Sequence, residues 1–498
     1  MQFLPAVLIS VVFAVLSARF GSEIFRRIAL KIRLVDKPDA IRKLQTGAIP
    51  VGGGAVVFLA FLCSSVLLSL LNPELGEQMR TLLVSFATVG AFVVGFGLID
   101  DKKGMNGLVK LFLQIVAASV VVVFAKDYSQ IALFGREFEL GHLFYPLAIF
   151  WLVGLMNAFN FLDGADGVVA TVGFFSFVAI GALGVVNEYW GAATLAFLLA
   201  ASLLGFFGCN RPPARLYLGD AGSLFVGFSV GVLLLRVCSI RSTASLQVVP
   251  ALCVALVPLA DVLFAVIRRL NSGRSVFSPD RGHVHHRLQR RFGKGYPLLG
   301  ALTMIQVPFC LTSVAGVYWR DDYVAALIAS SLLLLFVTSG VLGRAETRIL
   351  FYRTKYFIIK RFRRSKYDAR GEFFHPLGSI RWVDLWRETL AGARSSACVS
   401  VYLDVDMPFA NEDFYSEWNN LDWTRKARST RNKLKFNIPL TVEGRFVGRL
   451  NLKFDAERIS FAEAAAVVDQ TRDRCLKFIE AALKESVEQA RETALSNL

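Results

Sequence analysis

Eleven apolar segments recur along this chain, each of crossing length, at 3–20, 51–71, 81–99, 107–125, 143–160, 167–186, 190–208, 222–239, 246–267, 297–318 and 323–343. A helix needs about 20 such residues to span hydrocarbon, where each backbone N–H and C=O must be satisfied inside the segment. With 54% hydrophobic residues in 498 and a mean hydropathy of +0.51, the apolar content exceeds what a soluble core holds. The expected fold is an all-α polytopic membrane protein of eleven transmembrane helices, with a soluble C-terminal addition. Met1–Phe20 has neither a basic n-region nor a small-residue cleavage site, so it reads as a retained first span.

Charge placement sets the orientation. Arg26, Arg27, Lys31, Arg33, Lys37, Arg42 and Lys43 follow the first span, Lys102 and Lys103 the third, Arg211 and Arg215 the seventh. Arg268, Arg269, Arg274, Arg281, Arg287, Arg290, Arg291 and Lys294 follow the ninth; Arg236 and Arg241 are the main exceptions. The positive-inside rule then makes odd-to-even connections and the C-terminus cytoplasmic, at the cell inner membrane. The net charge of +16 points to anionic lipid rather than nucleic acid. Seven cysteines without CxxC pairs or regular spacing read as packing residues.

After Gly343 the composition changes. The expected organisation is a transmembrane domain over 1–343, a basic juxtamembrane linker over 344–366 and a cytoplasmic α+β domain over 367–498. In the last, Cys398–Val405 reads as a strand, and Leu434–Val442 with Arg445–Phe454 as a hairpin around Glu443-Gly444. Ser460 and Glu463 form a capping box before a helix from Phe461 to about Glu492. Phe461, Ala465, Val468, Cys475, Phe478, Ile479 and Leu483 fall broadly on one stripe of it.

The acidic clusters all fall in connections assigned to the cytoplasmic side from basic residues alone. Carboxylates beside apolar spans are costly, so their convergence marks a candidate site. Asp100-Asp101 end the third span, either as a solvated pair or as a site holding a lysine or divalent ion. Lys110 and Gln114 follow at four-residue spacing, on one helix face. Asn157, Asn160, Asp163-Gly164 and Asp166-Gly167 make a tight loop that either caps helices or aims two carboxylates at one ligand. Gly219-Asp220-Ala221-Gly222-Ser223 opens a span, with Asp220 as an N-cap or as a magnesium ligand completed by substrate phosphates. Three of the five histidines, His283, His285 and His286, lie in the arginine-rich run after Asp280-Arg281. The surrounding positive charge favours phosphate contacts over zinc there. Gly52-Gly53-Gly54 beside a basic loop suggests a pyrophosphate wrap, without a Walker lysine pattern. Together these groups suit metal-assisted phosphate chemistry on a lipid.

Over residues 36 to 291 the motifs, in order, resemble the polyprenyl-phosphate N-acetylhexosamine-1-phosphate transferases. The run Ser278-Pro279-Asp280-Arg281 followed by His283-Val284-His285-His286 is similar to the UDP-GlcNAc-using branch; the phospho-MurNAc-pentapeptide branch usually carries three consecutive histidines. Gln45 departs from the pattern, standing where the branch typically has histidine, so no acid–base role exists at that position. The resemblance implies transfer of a sugar-1-phosphate from a UDP-sugar to undecaprenyl phosphate, with Mg²⁺ or Mn²⁺ on Asp220. It implies Asp100, Asp101 and Lys110 at the acceptor phosphate. Asn160, Asp163, Asp166, Arg281, His283, His285 and His286 would bind the donor, with Lys43 a further substrate-binding residue. Dimerisation is expected by analogy. The C-terminal domain lies outside the resemblance; docking of another glycan-assembly protein, self-association and ligand sensing stand level for it. A transporter is disfavoured because the acidic groups gather on one side rather than at the midplane, and an inactive scaffold because the motifs keep their acidic residues.

Overall fold

The computed structural model describes residues 3–36, 49–124, 130–240, 245–271, 283–339, 372–377, 382–394, 396–407, 412–419, 433–442 and 445–496. Lys43, Gln45, Asp280, Arg281, the 344–366 stretch and the Glu443-Gly444 turn lie outside them. Two compact units emerge, one of Met1–Arg269 with Ser275–Thr347, the other of Leu270–Arg274 with Arg348–Leu498.

In the first unit each predicted apolar segment is a helix: α1 (Leu4–Lys31), α2 (Gly53–Leu71), α3 (Pro73–Ser85) continued through a π turn into α4 (Ala91–Lys103), α5 (Gly107–Phe124), α6 (Phe144–Leu162), α7 (Val168–Val186), α8 (Trp190–Asn210), α9 (Gly219–Val237), α10 (Val248–Asn271), α12 (Tyr296–Trp319) and α13 (Asp322–Thr338). The short α11 (Val284–Phe292) lies between α10 and α12. Among the described residues nine helical stretches have the length and apolarity to cross alone, while Gly107–Val123 and Asp322–Thr338 are shorter. The molecule is a multi-pass membrane protein.

Helix ends depart from the hydropathy limits where polar residues continue a helix. α1 runs on to Lys31 because Glu23 pairs with Arg26 (2.7 Å) and Arg27 (3.7 Å) one turn ahead. α3 starts eight residues before its apolar segment, capped by the Asn72 side chain, which accepts the Leu75 N–H at 2.9 Å.

Helix packing follows membrane logic, with small residues inward and large apolar ones outward. α1 buries Ser10, Ala14, Ala18, Ser22 and Ala29 at helical spacing and exposes Leu8, Val12, Leu16 and Phe20. α9 is almost wholly buried and packs against α2, α4, α6 and α7. Pro258 inside α10 cannot donate to the Val254 carbonyl, and Gln306 of α12 does so instead at 3.0 Å.

The connections sort cleanly to two ends. At one end β3 (Gln130–Leu133) pairs with β4 (Arg136–Glu139) and, in parallel, with β6 (Ser245–Gln247), which pairs with β5 (Ser239–Ile240). The Phe134 N–H donates to Asp322 there, joining the α12–α13 turn. At the other end β1 (Val35–Asp36) pairs with β2 (Ile49–Pro50), and the acidic motifs gather. The sequence-derived alternation is reproduced by contacts it did not use.

The second unit is a five-stranded antiparallel sheet with helices on it. β7 (Glu372–Leu377), β8 (Cys398–Met407), β9 (Glu412–Asn419), β10 (Lys433–Val442) and β11 (Arg445–Asp455) stand in the order β10-β11-β8-β9-β7. α14 (Trp382–Arg394) and α15 (Phe461–Ser496) pack against it. The capping box forms as expected, with Glu463 N–H donating to Ser460 Oγ and Ser460 N–H to the Glu463 carboxylate. The buried stripe of α15 is Ala464, Val468, Thr471, Cys475 and Ile479. Phe461, expected on that stripe, is 66% exposed and meets Phe436 of the edge strand β10. No apolar alternation announced β7 or β9. All seven cysteines are free, and all but Cys63 are buried.

Candidate functional site

Helix starts and ends that are far apart in sequence are forced together by glycine. A Cβ on Gly54 would lie 2.2 Å from the Gly222 nitrogen, and one on Gly97 would lie 2.4 Å from the Ala221 Cα. The first turn of α9 is thereby wedged between α2 and α4. The amides of Gly53 and Gly54 donate to the carbonyls of Tyr217 and Leu218, both at 2.9 Å. The expectation that Gly52-Gly53-Gly54 wraps a pyrophosphate is therefore corrected: those two amides are committed to backbone, and the glycines serve close helix approach.

Asp101 reaches across from α4 and accepts the backbone N–H of Asp220 (2.7 Å) and of Ala221 (3.3 Å). It thus caps α9 in trans. Gly219, at φ +76°, makes room: a Cβ there would sit 2.5 Å from Asp101 Oδ2. Asp220 is inside the first turn and makes no N-cap hydrogen bond, which leaves its carboxylate for other groups.

Lys110 of α5 joins the acidic helices. Its Nζ lies 2.7 Å from Asp100 Oδ2 and 2.9 Å from Asp220 Oδ1, and it donates to Asn160 Oδ1 at 3.3 Å. The Asn160 amide donates in turn to Asp220 Oδ1 and, at 2.9 Å, to Ser223 Oγ. Asp100 Oδ1 accepts the Met105 N–H at 2.7 Å. One turn deeper, Gln114 and Asn157 exchange amide hydrogen bonds of 2.6 and 3.4 Å. The four-residue spacing of Lys110/Gln114 on α5 and the three-residue spacing of Asn157/Asn160 on α6 thus form two polar rungs between these helices.

The α6–α7 loop adds two more carboxylates. Asp166 accepts the Ala214 N–H at 2.9 Å, tying this loop to the one before α9. Asp163 is half-buried; burial first, then the charges of Asp220, Asp101 and Asp166, hold its carboxyl well above the usual carboxylate range. Five carboxylates thus gather at this end, and Lys110 pairs with two of them, Asp100 and Asp220, an imbalance that a cation or a proton relieves.

Whether a divalent ion fits is a question of ligand count. Among the described residues no group of three His, Cys, Asp or Glu side chains is arranged to hold a metal alone. The Asp220 side chain retains 31% exposure beside this network. Such a site suits Mg²⁺, which takes one or two carboxylates and completes its octahedron with water and substrate phosphate.

The histidines assemble against the same loop. His283 stacks on Phe161 (5.7 Å, 14°) and on His285 (5.9 Å, 3°), and His285 lies 4.2 Å from His286 between ring centres. A Cβ on Gly164 would fall 2.2 Å from His285 Nε2. His285 is 2% exposed. Its ring nitrogens find no hydrogen-bond partner among the described residues, and burial pushes its imidazole down to about 3.

Sequence reasoning passed over Asp261, which is buried in α10. Its Oδ2 lies 2.9 Å from His283 Nδ1, and its Oδ1 accepts the Val284 N–H at 2.7 Å. The signal was available, since a lone carboxylate within an apolar span is itself a mark of function. An apolar groove lined by Phe25, Ile32, Leu34, Leu98 and Ile99, with Lys102 and Lys103, opens on the other face of α4 from Asp100 and Asp101.

With this geometry in view, similarity to known proteins is informative. Residues 82–238 match the family model described as glycosyl transferase family 4. The chain is 30% identical over 334 residues to a probable undecaprenyl-phosphate N-acetylglucosaminyl 1-phosphate transferase of Bacillus subtilis (strain 168), covering 66% of this chain and 88% of that protein. It is 31% identical over 299 residues to the undecaprenyl-phosphate alpha-N-acetylglucosaminyl 1-phosphate transferase of Escherichia coli (strain K12), covering 59% and 78%. The Salmonella typhi enzyme of the same name is 33% identical over 302 residues, covering 59% and 78%. The shared length, and a polar cluster assembled from the motifs that carry the resemblance, place this chain in the family of polyprenyl-phosphate sugar-1-phosphate transferases.

Proposed function

We propose that the chain transfers N-acetylhexosamine-1-phosphate from a UDP-sugar to undecaprenyl phosphate, releasing UMP and starting a lipid-linked cell-surface glycan. The observation that carries this reading is the Asp100–Lys110–Asp220–Asn160 network, at the end of the bundle where connections rich in arginine and lysine gather. Positive-inside placement makes that end cytoplasmic, at the inner membrane, where nucleotide sugars are made. The named relatives supply the acceptor and sugar class.

In the reaction an oxygen of the lipid phosphate attacks the β-phosphorus of the donor. The bond from that phosphorus to the bridging oxygen breaks, and UMP leaves with the electron pair. Two anions must meet, so the site has to supply positive charge at the reacting phosphates. Lys110 does so from this chain. A Mg²⁺ ion on Asp220 would, when bound, neutralise diphosphate charge and polarise the phosphorus. Asp101 and Asn160 fix Asp220. Asp100, engaged by Lys110 and the Met105 amide, orients the lysine; a phosphate monoester is largely dianionic above about pH 6, so its attack needs no strong base. Asp163, Asp166, His283 and His286, with Lys43 and Arg281 beyond the described residues, hold the donor; His285, expected among them, has both ring nitrogens buried and packs behind the loop of Gly164 instead.

The test is UMP release by the purified full-length protein with undecaprenyl phosphate and a panel of UDP-sugars, including UDP-MurNAc-pentapeptide, with and without Mg²⁺. Release that needs the lipid, the metal and one N-acetylhexosamine donor is the expected result. No release from any donor by folded protein would overturn the reading.

A further inference from the structure

We infer that Asp261 is a positioning residue for the transfer reaction, holding His283 in one tautomer and one rotation at the donor site; this rests on the reading of His283 as a donor contact. The geometry divides the task in two. Parallel stacking between Phe161 and His285 fixes the plane of the His283 ring. Stacking leaves rotation within that plane, and the choice of protonated nitrogen, unspecified. Asp261 supplies both, because its Oδ2, 2.9 Å from Nδ1, accepts a hydrogen bond from the Nδ1–H and so leaves Nε2 as the one to meet a ligand. The same carboxylate accepts the Val284 N–H through Oδ1, so the ring and the first turn of α11 share one anchor. Asp261 is 2% exposed and His283 5%. A buried carboxylate is costly unless paired, and here both its oxygens are used on one short segment. Pro258, one turn earlier, is accommodated by Gln306 at the Val254 carbonyl, so α10 remains helical up to Asp261.

Asp261→Asn separates the two tasks. The amide oxygen still accepts the Val284 N–H, whereas the amide nitrogen then faces Nδ1 as a donor and favours the opposite tautomer. In full-length protein, kcat and KM would be measured for donor and acceptor in wild type, Asp261→Asn, His283→Gln and the double variant, with thermal unfolding alongside. The expected result for Asp261→Asn is a loss in donor kcat/KM on the order of 10- to 100-fold, by analogy with the carboxylates that orient metal-ligating imidazoles. Donor KM should rise while acceptor KM holds. In the His283→Gln background Asp261→Asn should cause no further loss. Additive losses, or a lower kcat with both KM values unchanged and a lower unfolding temperature, would show a purely structural role and overturn the inference. If His283→Gln is impaired and Asp261→Asn is not, the positioning role alone fails. If His283→Gln retains wild-type kinetics, the donor-contact reading beneath it fails as well.

Discussion

The cluster around Lys110 and the histidine segment that opens α11 stand at the same end of the transmembrane unit, one held by charge and the other by burial. Lys110 is clamped between Asp100 and Asp220, with Asn160 and Asp101 bracing them. His285 instead sits on Gly164 with no hydrogen-bond partner among the described residues, kept neutral by its surroundings. The first arrangement tolerates no loss of charge. The second tolerates no gain of charge or volume. Each variant below acts on one of these sensitivities.

The largest effect is expected at the charged cluster. Asp220→Asn should lower turnover on the order of 1,000-fold or more, since it removes the carboxylate assigned to the metal, while the protein inserts normally; UMP release and membrane yield together check this. Lys110→Met should follow, with a loss on the order of 100-fold. It also leaves Asp100 and Asp220 facing each other, an uncompensated buried charge worth about 3 kcal/mol. Adding Asp220→Asn should recover part of the unfolding temperature without recovering turnover, which distinguishes charge balance from chemistry.

At the histidine segment Gly164→Ala should displace His285, as overpacking costs about 1–3 kcal/mol, and reduce donor kcat/KM about tenfold. A change confined to the acceptor KM would separate the two clusters functionally. Acidification probes the same residue. His285 titrates near 6.5 when unfolded and near 3 when folded, so below pH 6.5 the unfolded chain binds the extra proton. Its share of stability is complete above pH 6.5 and falls progressively toward pH 3, by about 2 kcal/mol at pH 5. In His285→Phe the unfolding temperature should lose that part of its acid dependence, measured from pH 7 to pH 5. The smallest effect belongs to the second unit. Truncation after Lys366 should change UMP release by purified protein less than about twofold, because the transmembrane unit has its own core.

Legibility in the sequence followed the physics of each region. Each of the eleven apolar runs is helical, and among the described residues nine have the length to cross alone, because lipid permits little else. Asp100, Asp101, Lys110, Asn160, Asp163, Asp166 and Asp220 stood out because charge beside an apolar span is conspicuous. Their division of labour did not: that Asp101 caps α9 while Asp220 meets Lys110 depends on which helix ends glycine lets touch. Asp261 was hidden by its setting, since an apolar span absorbs one carboxylate without losing its hydropathy. In the second unit the β10–β11 hairpin and the capping box were legible from local pattern. β7 and β9 were not, as their pairing is decided by the sheet.

What the sequence determined by itself is the class, the helical segments, the alternation of connections and the carboxylates that gather at one end. Those follow from transfer free energies and charge, which are properties of segments. Tertiary structure alone decided which carboxylate is paired, which is braced and which histidine is oriented by Asp261. Such choices depend on distances of about 3 Å between residues up to 120 positions apart, and no local pattern encodes them.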